Sequence, residues 1–393
     1  MNHTILGSVA FGYAPLIDAQ RVVTATRLTV VPLRPDATLD SASLLAAVAE
    51  VWPASGGQAV LSIQNEELLK AVLSAQPSAN LMLEVPAFMA ADENLAAPLQ
   101  TLKQAGSKLL LKGRPSDSMS PAVLSCFKYA LLDAADEAAG GTDASMIKLL
   151  TGVRGAEDLD AAFKRGAQGV LGWPMEGVFE APADAPARKE VQADLQVIVE
   201  LMSRVDQGED IDRLEQTLKR DPSLAFKLLR YMNSAAFGLS VEVASFRHAI
   251  MLLGYSRLKR WLALLLTTAS KDHTMRPIMF GALRRGLLME ELAKGMDDSE
   301  MRDEMFVCGL FSLLDHMLKQ PFNKLLQSIP VPERVRQALV EETGPYQPYL
   351  ELVRAIEAES VYDFRSATEQ LMLGAQEVNA CVLRALSKAA HLE

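Results

Sequence analysis

The chain has 393 residues, a formal charge of −10 from 39 basic and 49 acidic side chains, and 49% hydrophobic residues. That length favours two compact domains, each large enough to bury a core without disulfides or a structural metal. The negative charge disfavours non-specific nucleic-acid binding, and three scattered cysteines with no CxxC pair (Cys126, Cys308, Cys381) point to a reducing compartment and away from a zinc cluster.

The N-terminal segment lacks a basic region and a continuous apolar core, so no signal peptide is expected. No run approaches the roughly 20 apolar residues of a membrane span. The expectation is a cytoplasmic protein with no membrane role. Up to about residue 178, short apolar runs at 22–31, 59–63, 81–85 and 108–111 alternate with Ala/Leu-rich helical segments at 41–51, 65–73 and 156–164. Strands alternating with helices imply βαβ units and a parallel sheet, hence an N-terminal α/β domain over 1–178.

Residues 179–190 carry prolines and no apolar periodicity, which is linker composition. The remainder, 191–393, reads as all-α. Leu195, Ile198, Leu201 and Met202 recur at helical spacing, as do Leu224, Leu228, Leu229 and Met232. Asp221-Pro222 supplies an N-cap and a first-turn proline, and Gly254 makes a stop and restart. Further helices are expected at 275–296, 303–319, 331–342, 347–358 and 362–389, with Met275/Met279 and Met301/Met305 as core filler.

Catalytic motifs are missing. The five histidines form no HxxxH, HExxH or HD pair, and His316 reads as structural or surface. There is no P-loop, GxSxG or GxGxxG. Gly56-Gly57 and Gly140-Gly141 read as turns, Asp297 to Glu300 as a solvated inter-helix segment, and Glu209 to Glu215 as a polar helix face.

The stretch Asp221-Pro-Ser-Leu-Ala-Phe-Lys-Leu-Leu-Arg-Tyr-Met-Asn-Ser-Ala-Ala-Phe-Gly238, continued by Ser245-Phe-Arg-His-Ala-Ile-Met-Leu-Leu-Gly254, resembles the signature of the HDOD domain. Asn233 and Ser234 suit a helix exit, Gly238 a turn, and Ala249, Ile250, Leu252 and Leu253 an inward face. HDOD domains resemble HD phosphohydrolases in fold. Cys308-Gly-Leu-Phe-Ser-Leu-Leu314 looks like the place where an active relative reads G-L-L-H-D, with Ser312 and Leu313 at the His and Asp positions. That substitution implies no divalent ion there to activate water.

The N-terminal half resembles an EAL-type barrel. Phe11-Gly-Tyr-Ala-Pro-Leu16 is similar to the family's G-Y-E-A-L, Ala59 to Gln64 to its I-N strand, Leu81 to Pro86 to its L-E strand, and Leu171 to Pro174 to its terminal Q-G-Y. EAL enzymes cleave cyclic di-GMP with metal ions held between carboxylates and an amide. The resemblance places Ala14 at the motif glutamate, Asp18 at the phosphate-binding arginine and Gln64 at the asparagine ligand. It places Lys112-Gly113 at the paired aspartates, Leu131 near the lysine, Arg154 at a later glutamate and Leu171 at the glutamine. Glu84 persists, and its partner carboxylate is Ala87. One carboxylate does not hold two metals, and Lys112 and Arg154 would repel cations. The match spans about 5–175, short enough to suggest one or more trimmed βα units.

The expected architecture is therefore multidomain: a degenerate TIM-like barrel, then an all-α HDOD domain. No catalytic, cofactor-binding or metal-binding residues are assigned, and no cofactor. The expected function is non-enzymatic signal transduction through other signalling proteins, in a cyclic di-GMP-related pathway, with a homodimer as one option. The alternatives are a cyclic di-GMP receptor without hydrolysis, favoured by Lys112 and Arg114 and opposed by Asp18, and residual phosphodiesterase or HD-type hydrolysis. Nucleic-acid binding through Arg247, Arg257, Lys259 and Arg260 is a further reading, outweighed by an ordinary helix surface.

Overall fold

The computed structural model describes residues 3–53, 57–75, 77–116, 119–135, 146–175, 193–218, 246–268, 272–296 and 298–390. The chain divides into two compact units, 1–176 with 352–383 and 177–351 with 384–393. The expected C-terminal domain, 191–393, thus loses 352–383 to the barrel unit. The expected linker at 179–190 lies outside the described residues, as do Asp221–Gly238 with Asn233, and the two Gly-Gly turns apart from Gly57.

In the first unit eight strands close a barrel: β1 Val9–Asp18, β2 Val23–Pro32, β3 Ala59–Ile63, β4 Leu81–Pro86, β5 Lys108–Lys112, β6 Phe127–Asp133, β7 Ile147–Thr151 and β8 Gly169–Leu171. β1 runs antiparallel to β2 and β8, and the other neighbours are parallel. The barrel is therefore not short of strands. The economy falls on connections such as that between β5 and β6, whose helix Pro121–Leu124 is a single turn.

Strand periodicity of two sends alternate side chains inward. Leu16, Ala25, Val60, Met82, Leu110, Leu131, Leu149 and Leu171, one from each strand, form a buried ring across the barrel. Helix Ala156–Lys164 covers the outside of β6–β8 through Leu159 and Ala162 against Leu132, Leu150 and Val170. One layer above the ring, toward the C-terminal ends of the parallel strands, the inward positions turn polar.

Among the described residues β8 pairs with Leu16–Asp18, and the same side of Val9–Pro15 has no strand neighbour there. Side chains take that role. Asn379, fully buried on helix Ala375–Ala390, accepts from the Phe11 amide at 3.0 Å and donates to the Leu6 and Val9 carbonyls at 2.7 Å each. Trp173 Nε1 donates to the Tyr13 carbonyl at 3.1 Å. Buried backbone groups need such partners, and the C-terminal segment supplies part of them.

The expected helix 362–389 is two helices, Val361–Leu371 and Ala375–Ala390. Met372 at φ +54° and the Leu373 amide bonded to the Thr368 carbonyl close the first one in a left-handed cap.

The second unit is helical among its described residues. Helices Ala193–Asp206, Ile211–Leu218, Phe246–Thr268, Arg276–Leu292 and Ser299–Phe311 carry most of its core. Gly254, at φ +69°, kinks Phe246–Thr268 as expected. The expected helix 303–319 begins earlier, because Asp298 caps Ser299–Phe311 by accepting from the Glu300 and Met301 amides; Leu314–Leu318 follows separately. Leu252 is exposed rather than inward, whereas Ile250 is buried. Of the four methionines expected as core filler, Met275 and Met305 are buried, whereas Met279 and Met301 are only half-buried.

Candidate functional site

The polar layer of the barrel centres on Glu84. Its inward position on β4 is fixed by register, since Ser62 on β3 pairs directly with it and Met82, two residues earlier, belongs to the apolar ring. Arg27 lies on β2 two residues beyond Ala25, and its cross-strand partner on β1 is Ala14. An alanine at the motif-glutamate position leaves room for the guanidinium.

Arg27 binds Glu84 as a fork: Nε donates to Oε2 and Nη2 to Oε1, both at 3.0 Å. Nη2 also donates to Ser62 Oγ at 3.1 Å, and Ser62 donates to Glu84 Oε1 at 3.0 Å. Lys112 at the end of β5 reaches the same oxygen at 2.9 Å. Gln64 donates to Ser62 Oγ at 3.1 Å. A second carboxylate arrives from the C-terminal segment. Glu359 accepts from Arg27 Nη1 at 3.2 Å on each oxygen and from Thr29 Oγ1 at 2.6 Å. Tyr13 OH adds a bond to Glu357 Oε1 at 3.2 Å.

Burial alone pushes the Glu84 carboxyl up, yet Arg27 and Lys112 outweigh it and hold the group below the usual carboxylate range. Burial likewise works against the Arg27 charge, and Glu84 and Glu359 overcome it, so the guanidinium titrates above its ordinary value. The cluster holds two cations and two carboxylates, which balance.

The residues singled out in the sequence divide accordingly. Glu84, Gln64 and Lys112 come together, and Ala14 borders them. Lys112 pairs with Glu84. Ala87 opens the short helix Ala87–Ala90 beside Gly113, and Leu131 and Leu171 belong to the apolar ring. Arg154 is exposed beyond β7. Asp18 requires correction: it pairs with Gly169 at the start of β8 and accepts from the Gln20 and Val22 amides in the β1–β2 turn. It sits at the opposite end of the barrel from Glu84. Arg27, Thr29, Ser62 and Glu359 were not singled out. An arginine inside the apolar run 22–31 was the available signal, because a charge within a buried strand requires a partner.

In the helical unit Ser312 accepts from Arg285 Nη1 at 3.0 Å and donates to the Gly309 carbonyl at 2.7 Å. Of the four cations considered for nucleic acid, Arg247 pairs with Asp212, Lys259 with Asp206, and Arg260 with Glu290 and Asp303. His316 is half-buried beside Asp315. Among the described residues no group of three or more His, Cys, Asp or Glu is placed to hold a metal ion, and no helix is long and apolar enough to cross a membrane.

The HDOD family profile matches residues 193–327. Those residues are an HDOD domain. The curated proteins similar to the chain include an uncharacterized protein, YuxH, of Bacillus subtilis (32% identity over 180 residues, 45% of this chain and 43% of that protein) and the cyclic di-GMP phosphodiesterase CdgJ of Vibrio cholerae (27% over 184 residues, 47% and 43%). The matched stretch thus spans less than half of either relative. One similar solved structure is the EAL domain of Mycobacterium smegmatis DcpA, at 16% identity, 43% of this chain, 92% of that chain and a TM-score of 0.31.

Proposed function

We propose that this chain is a non-catalytic signalling protein that works through protein–protein contacts in a cyclic di-GMP-related pathway. The G-Y-E-A-L-like segment, the HDOD domain and the similarity to CdgJ support the pathway. The observation that carries the non-catalytic reading is the engagement of Glu84 by Arg27, Lys112 and Ser62. EAL chemistry needs a cage of oxygen ligands around divalent ions, which supply an activated water beside the phosphodiester. The donor set here does not fit that group. Ala14, Ala87 and Gly113 offer no side-chain ligand, and a metal at Glu84 would have to displace Arg27 and Lys112. In the HDOD domain Ser312 and Leu313 stand where an active relative would carry His and Asp, and Ser312 accepts a hydrogen bond from Arg285. The barrel then serves as a scaffold and binding platform, and the HDOD domain relays through partner contacts.

The test is incubation of the full chain with cyclic di-GMP and magnesium or manganese. No turnover above background is expected. Turnover that disappears in Glu84→Ala would overturn the reading.

A second reading, a cyclic di-GMP receptor without hydrolysis, gains from the position of Asp18, which no longer opposes it. Calorimetric titration of cyclic di-GMP into the chain decides it, with binding weakened by Lys112→Ala as its signature.

A further inference from the structure

Glu359 reaches the barrel from 332 residues away in sequence, on the short connection between helices Gln347–Glu357 and Val361–Leu371. Its backbone is left-handed, at φ +57°, an uncommon state for a residue with a side chain. Its seat is cut by Gly12, the inward β1 position paired with Thr29. A Cβ on Gly12 would lie 2.8 Å from Glu359 Cγ and 2.9 Å from the Ile356 carbonyl.

Two observations mark this carboxylate as an occupant rather than part of the barrel. Arg27 holds Glu84 at 3.0 Å through two parallel bonds, but spreads a single nitrogen over both Glu359 oxygens at 3.2 Å. Glu359 keeps part of its side chain in solvent, whereas Glu84 is almost fully buried. With Glu359 withdrawn, two cations face one carboxylate, and the Thr29 hydroxyl still points its donor into the vacated space.

We propose that Arg27 and Thr29, above the notch at Gly12, form a single-oxyanion binding site that the chain fills with its own Glu359 and that accepts a free carboxylate or phosphate when Glu359 is withdrawn. With Glu84 shared between Arg27 and Lys112, an uncompensated positive charge in a mostly buried setting is costly, so the vacated site recruits an anion. The site is independent of whether the barrel turns over a nucleotide.

The test uses the full chain with Glu359→Gly, which removes the carboxylate and suits the left-handed backbone. Thermal unfolding is followed in sodium acetate, sodium phosphate and sodium chloride at matched ionic strength. The melting temperature of Glu359→Gly should rise with the logarithm of acetate or phosphate concentration beyond the chloride control, while the unaltered chain shows no such rise. Adding Thr29→Val should move the response to about tenfold higher anion concentration, the scale of one hydrogen bond to a charged group. A response to acetate alone identifies a carboxylate site, and one to phosphate alone a phosphate site; either supports the proposal. If Glu359→Gly does not fold in chloride, its refolding yield in acetate and phosphate against chloride is the same test. An equal effect of all three salts, or the same rise in the unaltered chain, overturns it.

Discussion

Arg27 and Glu84 meet through two parallel 3.0 Å hydrogen bonds inside a closed barrel, with both side chains nearly removed from solvent. Pairs of this kind gain little net stability over an apolar pair of the same shape, but losing one partner strands a buried charge. Glu84→Met and Arg27→Met should each destabilise the barrel unit by about 3–5 kcal/mol, and the two together should recover most of the loss. Denaturant unfolding of the single and double variants gives the coupling directly.

The same pair sets a pH dependence. Glu84, Glu290 and Glu291 are all held below the usual carboxylate range against the upward push of burial. A depressed folded value contributes stability that is present above the unfolded value, about 4.3 for glutamate, and is lost as the pH falls through the folded value. Stability should fall on acidification below about pH 5. In Glu84→Gln the deficit relative to the unaltered chain should be largest near neutrality and shrink as the pH drops, because both then carry an uncharged group there.

Gly12→Ala tests the seat of Glu359. The new methyl meets the Ile356 carbonyl as well as a side chain, so the backbone of the 352–383 segment has to give. A loss of about 1–3 kcal/mol is expected, with faster hydrogen exchange in helix Val361–Leu371.

Asn379→Leu keeps the volume and removes two bonds to β1, at Phe11 and Val9, and one to the Leu6 carbonyl ahead of it. Each buried group left unpaired costs about 1–3 kcal/mol, and the Phe11 amide should lose its exchange protection.

In the HDOD domain Arg260 binds Glu290 through two nitrogens at 2.7 and 2.9 Å and lies 4.0 Å over the Phe306 ring. Arg260→Lys keeps the charge but loses the fork and the stacking, and a loss of about 1–2 kcal/mol is expected.

Much of the barrel was legible. The runs at 59–63, 81–85 and 108–111 became β3, β4 and β5 nearly to the residue, because strands buried on both faces are continuous apolar runs. β8 is only three residues long, too little for any pattern; the suggestion of trimmed βα units came from the short span of 5–175, and all eight strands are present. Gly254 was readable from its glycine, and the break at Met372 was not, since a methionine in a left-handed cap carries no local signal. Glu84, Gln64 and Lys112 were found through their strands. Glu359 and Asn379 were not, because both act on β1 and β2 from over 300 residues away, and only tertiary packing pairs them. Asp18 was misplaced for a geometric reason: β1 is reversed, so its last residue lies at the end of the barrel opposite the polar cluster.

The central claim is that Glu84 is a structural ion-pair partner and not a metal ligand. Titration of manganese into the full chain, followed by the loss of free-ion electron paramagnetic resonance signal, tests it most directly. The expected result is no tight binding, or weak binding identical in the unaltered chain and in Glu84→Gln. Tight, stoichiometric binding that Glu84→Gln abolishes would contradict it.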